Sequence, residues 1–343
     1  GMDVAVVRHD DIYREFASGS KHPSAIRRFA KMLYDRAPEK LRYLLLYGAS
    51  SSDNRGIDGD RSDHLVSYQT EELANARNVT TSFASDQYFG MLDDNFDINT
   101  IATNAQVRLS VGRIPAASPS LAESANRKIY SRLSNPIPVR HYLRSLLFSD
   151  DGNKNAHYLC SVAVDTIFRD SNPAITRTHT DIELLPATSL KSVNTPYYKE
   201  IVKGLQNGMG YFTFSGHGNF QSISGYETIN QSGASALENG IYPVAMMSAC
   251  AVFAFDRVNN GLAERLVLNE NGGAIGVIGS CRSVYLEHNR QLNNAVAVQY
   301  ATATAGTMTG DLLRQARNQL ITSMGGALPL NLGINMMPYN LCG

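Results

Sequence analysis

Tyr211-Phe212-Thr213-Phe214-Ser215-Gly216-His217-Gly218 and Val244-Ala245-Met246-Met247-Ser248-Ala249-Cys250 are the stretches on which the fold turns. Each is a short apolar strand followed directly by small residues and one reactive side chain. Residues 43–47 (Tyr-Leu-Leu-Leu-Tyr) form a third such run, closed by Gly48. Its unbroken apolarity predicts burial on both faces, as in a parallel sheet. Further strands are predicted at residues 4–7, 107–111, 145–148 and 274–278. Helices are predicted between them. One opens at Pro23-Ser24 and turns Ala25, Ile26, Phe29, Met32 and Leu33 to one face. Another is capped by Ser118, with Pro119 at its first position, and runs to about residue 133. Others cover residues 157–168, 195–205, 262–268, 292–301 and 311–322. Strands spaced by helices predict βαβ units and a mostly parallel α/β sheet. A break at Ser134-Asn135-Pro136 suggests two units, residues 1–140 and 141–343. Residues 48–106 are polar and weakly periodic, and read as a long loop region over the sheet edge.

The chain has 343 residues, 43% of them hydrophobic, which suits two domains or one large one. Lys plus Arg and Asp plus Glu are both 31, and this zero net charge argues against a nucleic-acid partner. Four cysteines without a CxxC pair exclude a disulfide scaffold and a zinc ribbon. No apolar run reaches the roughly 18 residues of a membrane span. Gly1-Met2-Asp3-Val4 has no signal-peptide regions, and Gly1 before Met2 reads as a tag remnant.

In open α/β sheets the site lies beyond the carboxyl ends of the strands. Three predicted ends carry reactive groups: Asp150-Asp151, His217 and Cys250. A thiol attacks an acyl carbon as thiolate and needs an imidazole beside it. The imidazole in turn needs a partner to fix its tautomer. Gly216 and Gly218 would let a substrate carbonyl reach the backbone, leaving the Gly218 amide as an oxyanion donor. The blander expectation is a small buried cysteine and an ordinary histidine. Cys160 reads as helix core, Cys281 follows a strand but has Arg282 rather than a base beside it, and Cys342 sits at the chain end. There is no Walker loop, HExxH or GxSxG. The glycines at 273–279 read as part of a strand. Asp58, Asp60, Asp93, Asp94 and Asp97 could offer hard oxygen ligands to a structural calcium ion, although no EF-hand spacing is present.

The two opening segments, with Phe255-Asp256 after Cys250, resemble the gingipain family of cysteine peptidases in the caspase-like clan. So do Gly261-Leu262-Ala263-Glu264, residues 272–280, Ser85-Asp86-Gln87-Tyr88-Phe89-Gly90-Met91-Leu92-Asp93-Asp94 and Val111-Gly112-Arg113-Ile114-Pro115-Ala116. The resemblance implies a caspase-like α/β fold of two side-by-side subdomains, mostly parallel sheets flanked by helices, with the second half catalytic. It implies Cys250 as nucleophile and His217 as general base. Asp151 would orient the histidine, with Asp150 as fallback, and the amides of Gly218 and Cys250 would form the oxyanion hole. Asn219 stands where serine is frequent, and residues 251–254 intervene before Phe255-Asp256. No specificity acid can be matched. The Asp86–Gly90 and Val111–Pro115 segments look closest to PorU-type signal peptidases of type IX secretion. That likeness implies a cell-surface or extracellular protein with a protein or peptide substrate, no required cofactor, and further domains of the same polypeptide. Two other readings are a catalytically silent module of the same fold and a ligand-binding doubly wound domain. The second would need a phosphate loop that the sequence does not contain.

Overall fold

Alternation along each strand sends side chains to two different cores. Leu146, Phe148, Phe212, Phe214, Ala245, Met247 and Val277 face one, whereas Leu147, Tyr211, Met246 and Ile278 face the other. Period-two geometry with apolar residues on both faces forces this double burial. The computed structural model describes residues 2–57, 64–70, 82–95, 97–98, 100–184, 196–257 and 260–343.

The first half contains α1 (His9–Ala17), α2 (Pro23–Arg36), β1 (Tyr43–Tyr47), β2 (Tyr68–Gln69), β3 (Ala84–Ser85), β4 (Ser110–Ile114), α3 (Pro119–Ser134) and α4 (Val139–Tyr142). Next come β5 (Arg144–Ser149), α5 (Ala156–Ser171), β6 (Thr176–Asp181), α6 (Pro196–Gln206), β7 (Tyr211–Ser215), β8 (Ser222–Ile223), β9 (Ile229–Asn230) and α7 (Gln231–Ser235). The chain closes with β10 (Val244–Ser248), α8 (Leu262–Leu268), β11 (Gly276–Ser280), α9 (Leu286–Ala301), α10 (Thr309–Ser323), α11 (Leu330–Met336) and β12 (Tyr339–Cys342).

One eight-stranded sheet runs β1-β4-β12-β11-β10-β7-β5-β6. Every pair is parallel except β11 with β12. Helices α5, α9 and α10 supply Val164, Phe168, Leu292, Val296, Leu312 and Leu313 to one core. Helices α6 and α8 supply Ile201, Leu205, Leu262 and Leu266 to the other. The last strand, β12, lies between β4 and β11, so the sheet continues from the first half of the chain into the second. Among the described residues no helix is long and apolar enough to cross a membrane.

Several expectations shift. Residues 4–7 form no strand; Val4 and Val6 are almost fully exposed, and the first regular element is α1. A β-branched run has strand propensity, but without a neighbour to pair it stays extended coil. Strand β1 is not buried on both faces, because it sits at the sheet edge and Leu45 is half exposed. Strand β4 starts at Ser110, since the Val107 amide bonds the Asn318 side chain and the Arg108 amide bonds the Gly90 carbonyl. Strand β11 starts at Gly276, since the amides of Ala274 and Ile275 are held by Leu266 and Pro243 carbonyls. Residues 82–92 are buried rather than laid over an edge. There Gln87 donates to the carbonyls of Met336 and Tyr339 just before and within β12.

Candidate active site

Strands β5, β7 and β10 are neighbours, and Ser149, Ser215 and Ser248 stand in register across them. His217 lies two residues beyond Ser215, and Cys250 two beyond Ser248. Both therefore leave the sheet at one level, at the carboxyl ends of adjacent parallel strands. The turns touch: the Gly216 amide donates to the Ser248 carbonyl at 3.3 Å. A Cβ on Gly218 would come within 2.9 Å of Ala249 Cβ and 3.4 Å of the Cys250 carbonyl oxygen. A Cβ on Gly216 would meet Asp150 Oδ2 at 2.5 Å. Close packing of the strand ends thus requires both glycines flanking His217. The His217 side chain is exposed and Cys250 is partly exposed.

Cys250 Sγ faces the backbone of Val284, accepting from its amide at 3.5 Å and lying 3.6 Å from its carbonyl oxygen. The turn is stitched to the end of β11 by hydrogen bonds from the Ala251 amide to Arg282 O and from the Phe253 amide to Ser280 O, both 2.9 Å. The other three cysteines are buried. Burial pushes the Cys281 thiol up to about 12 and raises those of Cys160 and Cys342. Cys281, the internal competitor, also donates to the Ala84 carbonyl at 3.1 Å.

His217 is anchored through its main chain. Its amide donates to Asp150 Oδ2 at 2.8 Å, as does the Gly225 amide at 3.3 Å, while the Ser224 amide donates to the His217 carbonyl at 2.8 Å. Asp150 is buried; burial raises its pKa, and these amide bonds oppose the rise. Asp151 accepts a 2.7 Å hydrogen bond from the Tyr226 hydroxyl. Among the hydrogen bonds of the described residues, neither carboxylate meets the His217 ring. The ring is met instead by His157 of α5, which packs tilted at 72° with centroids 5.3 Å apart. His157 is buried, bonds the Asn153 amide at 2.8 Å, and is pushed down to about 4, chiefly by burial and also by the His217 charge. Nothing in the sequence singles His157 out, because its position is set by how α5 lies against β7.

Strain collects here. Among the described residues eight non-glycine residues have left-handed φ, and Asn153, Lys154, Asn155, Ser224, Glu227 and Ala251 belong to the segments following β5, β7 and β10. Such conformations cost about 1–3 kcal/mol each and persist where the surrounding structure enforces them, often at functional sites.

The model of peptidase family C25 matches residues 1–341. The chain belongs to peptidase family C25. It is a cysteine-type peptidase. The crystal structure of the Arg-specific cysteine proteinase gingipain R superposes with a TM-score of 0.69 at 15% identity, covering 96% of this chain and 68% of that one. A complex of the RgpB pro- and mature domains from Porphyromonas gingivalis gives 0.69 at 14% identity, covering 96% and 70%. A third structure, described only as a protease, gives 0.66 at 14% identity with the same coverage. No curated protein sequence matches the chain.

In this C25 peptidase the remaining motif residues are structural. Arg113 donates to both oxygens of Asp86, at 2.6 and 2.8 Å, and to the carbonyls of Gly48, Leu65 and Val66. All five guanidinium donors are thereby engaged, and the group lies 5.2 Å over the Phe255 ring. Asp256 forms a second buried fork with Arg282 at the base of the Cys250 turn. Of the calcium candidates, Asp93 pairs with Arg108 at 2.6 Å and Asp94 with Lys31 at 2.8 Å. Asp58 and Asp60 lie outside the described residues. Among the described residues, no three His, Cys, Asp or Glu side chains converge as metal ligands.

Proposed function

We propose that this peptidase is an endopeptidase working through a Cys250–His217 dyad. The observation that carries the reading is the shared register of β7 and β10, which brings an exposed imidazole and a partly exposed thiol to one level of the sheet. His217 takes the thiol proton, and the Cys250 thiolate attacks the peptide carbonyl carbon. The amides of Gly218 and Cys250 hold the oxyanion. His217 then protonates the leaving amine as the C–N bond breaks, leaving a thioester. Water, deprotonated by His217, hydrolyses the thioester and frees Cys250. Asp151, held by Tyr226, stabilises the imidazolium through space or through water.

The Asp86–Gly90 and Val111–Pro115 segments support a narrower role, removal of sorting segments from proteins at the cell surface or outside the cell. Hydrolysis of peptide libraries by the parent, Cys250→Ala and His217→Ala proteins tests the dyad. Turnover that survives Cys250→Ala would overturn it. Cleavage of proteins bearing a C-terminal sorting domain, against the same proteins without it, tests the role.

A further inference from the structure

An exposed imidazole is useful as a base only if its ring is held at one angle, a task commonly given to a carboxylate on the second nitrogen. Among the described residues, Asp150 after β5 is bonded to the His217 amide, Asp151 follows it in the same turn, His157 on α5 meets the His217 ring, and Cys250 follows the neighbouring strand β10. Asp150 gives Oδ2 to the His217 and Gly225 amides and Asp151 accepts from the Tyr226 hydroxyl, and among the hydrogen bonds of the described residues neither carboxylate reaches the His217 ring. The geometry points to His157 as the positioning residue: its buried ring, packed edge-to-face on His217, fixes the plane of the catalytic imidazole.

Three observations converge on it. The rings meet at 5.3 Å and 72°, an arrangement that restricts rotation of the outer ring. His157 is itself held, because its Nε2 meets the Asn153 side-chain amide at 2.8 Å. Asn153 reaches that position through a strained turn in which Gly152, Asn153, Lys154 and Asn155 all have positive φ, at 78°, 47°, 55° and 64°. Non-glycine residues in a row at such angles are costly, and here they deliver both Asn153 and the start of α5 to the back of His217. A neutral ring at this place also adds no charge against the imidazolium formed in turnover.

The inference rests on the dyad reading, and its test separates the two. Three variants are needed: His157→Ala, which removes the ring; His157→Leu, which fills space without one; and His157→Phe, which keeps an aromatic edge. Peptide hydrolysis is expected to lose about tenfold to a hundredfold in kcat for Ala and Leu with KM within about twofold, and to stay within about threefold of the parent for Phe. NMR of the His217 ring, recorded in a Cys250→Ala background, is expected to show nuclear Overhauser contacts averaged over ring orientations in Ala and Leu and a single orientation, as in the parent, in Phe. That readout needs no peptidase activity, so failure of the dyad leaves it standing. If His157→Ala does not fold, Leu against Phe decides. Parent-like kcat and a single parent-like ring orientation in His157→Leu would overturn the proposal, and so would equal loss in folded Leu and Phe variants.

Discussion

Ser215 and Ser248 face each other across adjacent parallel strands, so the turns that carry His217 and Cys250, each two residues further on, leave the same end of the sheet. The placement of the proposed dyad is thus a consequence of strand register. Whatever disturbs the two turns should disturb chemistry before it disturbs the fold.

Gly218→Ala tests that order. Its Cβ would press on Ala249 within the turn that carries Cys250. We expect a loss of tenfold or more in kcat/KM, with a stability cost of about 1–3 kcal/mol typical of overpacking. Gly216→Ala should cost more stability than Gly218→Ala, because its Cβ meets the buried carboxylate of Asp150. Urea denaturation read beside peptide hydrolysis separates the two effects.

The paired carboxylates after β5 have separable tasks. Asp150→Ala leaves the part-buried amide of His217 without its acceptor and should destabilise by about 1–3 kcal/mol. Asp150→Asn, which keeps an acceptor oxygen, should restore most of that. Asp151→Asn should leave the melting temperature near that of the parent and lower kcat, if its charge supports the imidazolium. Equal melting temperatures for Asp150→Ala and Asp151→Asn would contradict this division.

The first half of the molecule depends on Arg113. Removing its charge strands the buried carboxylate of Asp86, so Arg113→Met should cost about 3–5 kcal/mol. Arg113→Lys should rescue little, since an ammonium cannot reproduce five donors in a planar fork. The double variant Arg113→Met/Asp86→Asn should be more stable than Arg113→Met alone, as chemical denaturation would show.

Lys128 of α3 gives the stability a pH signature. Its ammonium is buried and donates to the carbonyls of Leu266, Val267, Gly272 and Ala274. Burial lowers its pKa from 10.5 to about 7. The unfolded chain therefore binds this proton more tightly between those values, and the group's contribution to stability rises with pH from about 7 to 10.5. Subtracting the Lys128→Met curve from that of the parent should expose a slope of at most about 1.4 kcal/mol per pH unit in that window. A flat difference would contradict the assignment.

The strand ends that carry the candidate site were largely legible in the sequence, since apolar runs ending in Gly-His-Gly and Ala-Cys mark them by local pattern alone. What was hidden depended on partners remote in the chain. Strand β12 is four residues long and gains its place by pairing with β11 and touching β4. Strand β6, Thr-Arg-Thr-His-Thr-Asp, is too polar to announce itself and survives as an edge. Residues 4–7 had the opposite fault, strand-like composition with no neighbour. Asp150 and Asp151 were readable as a turn, but not which of them would be drawn to the His217 backbone. His157 was silent because a helix start carries no sign of the ring it will meet.

The most direct test of the dyad is to trap the thiol with a peptidyl electrophile and locate the adduct by mass spectrometry in the parent and His217→Ala proteins. The account predicts one adduct, on Cys250, formed at least tenfold more slowly without His217, with Cys160, Cys281 and Cys342 untouched in the folded protein. An adduct on Cys281 or Cys160, or labelling of Cys250 at the same rate in both proteins, would contradict it.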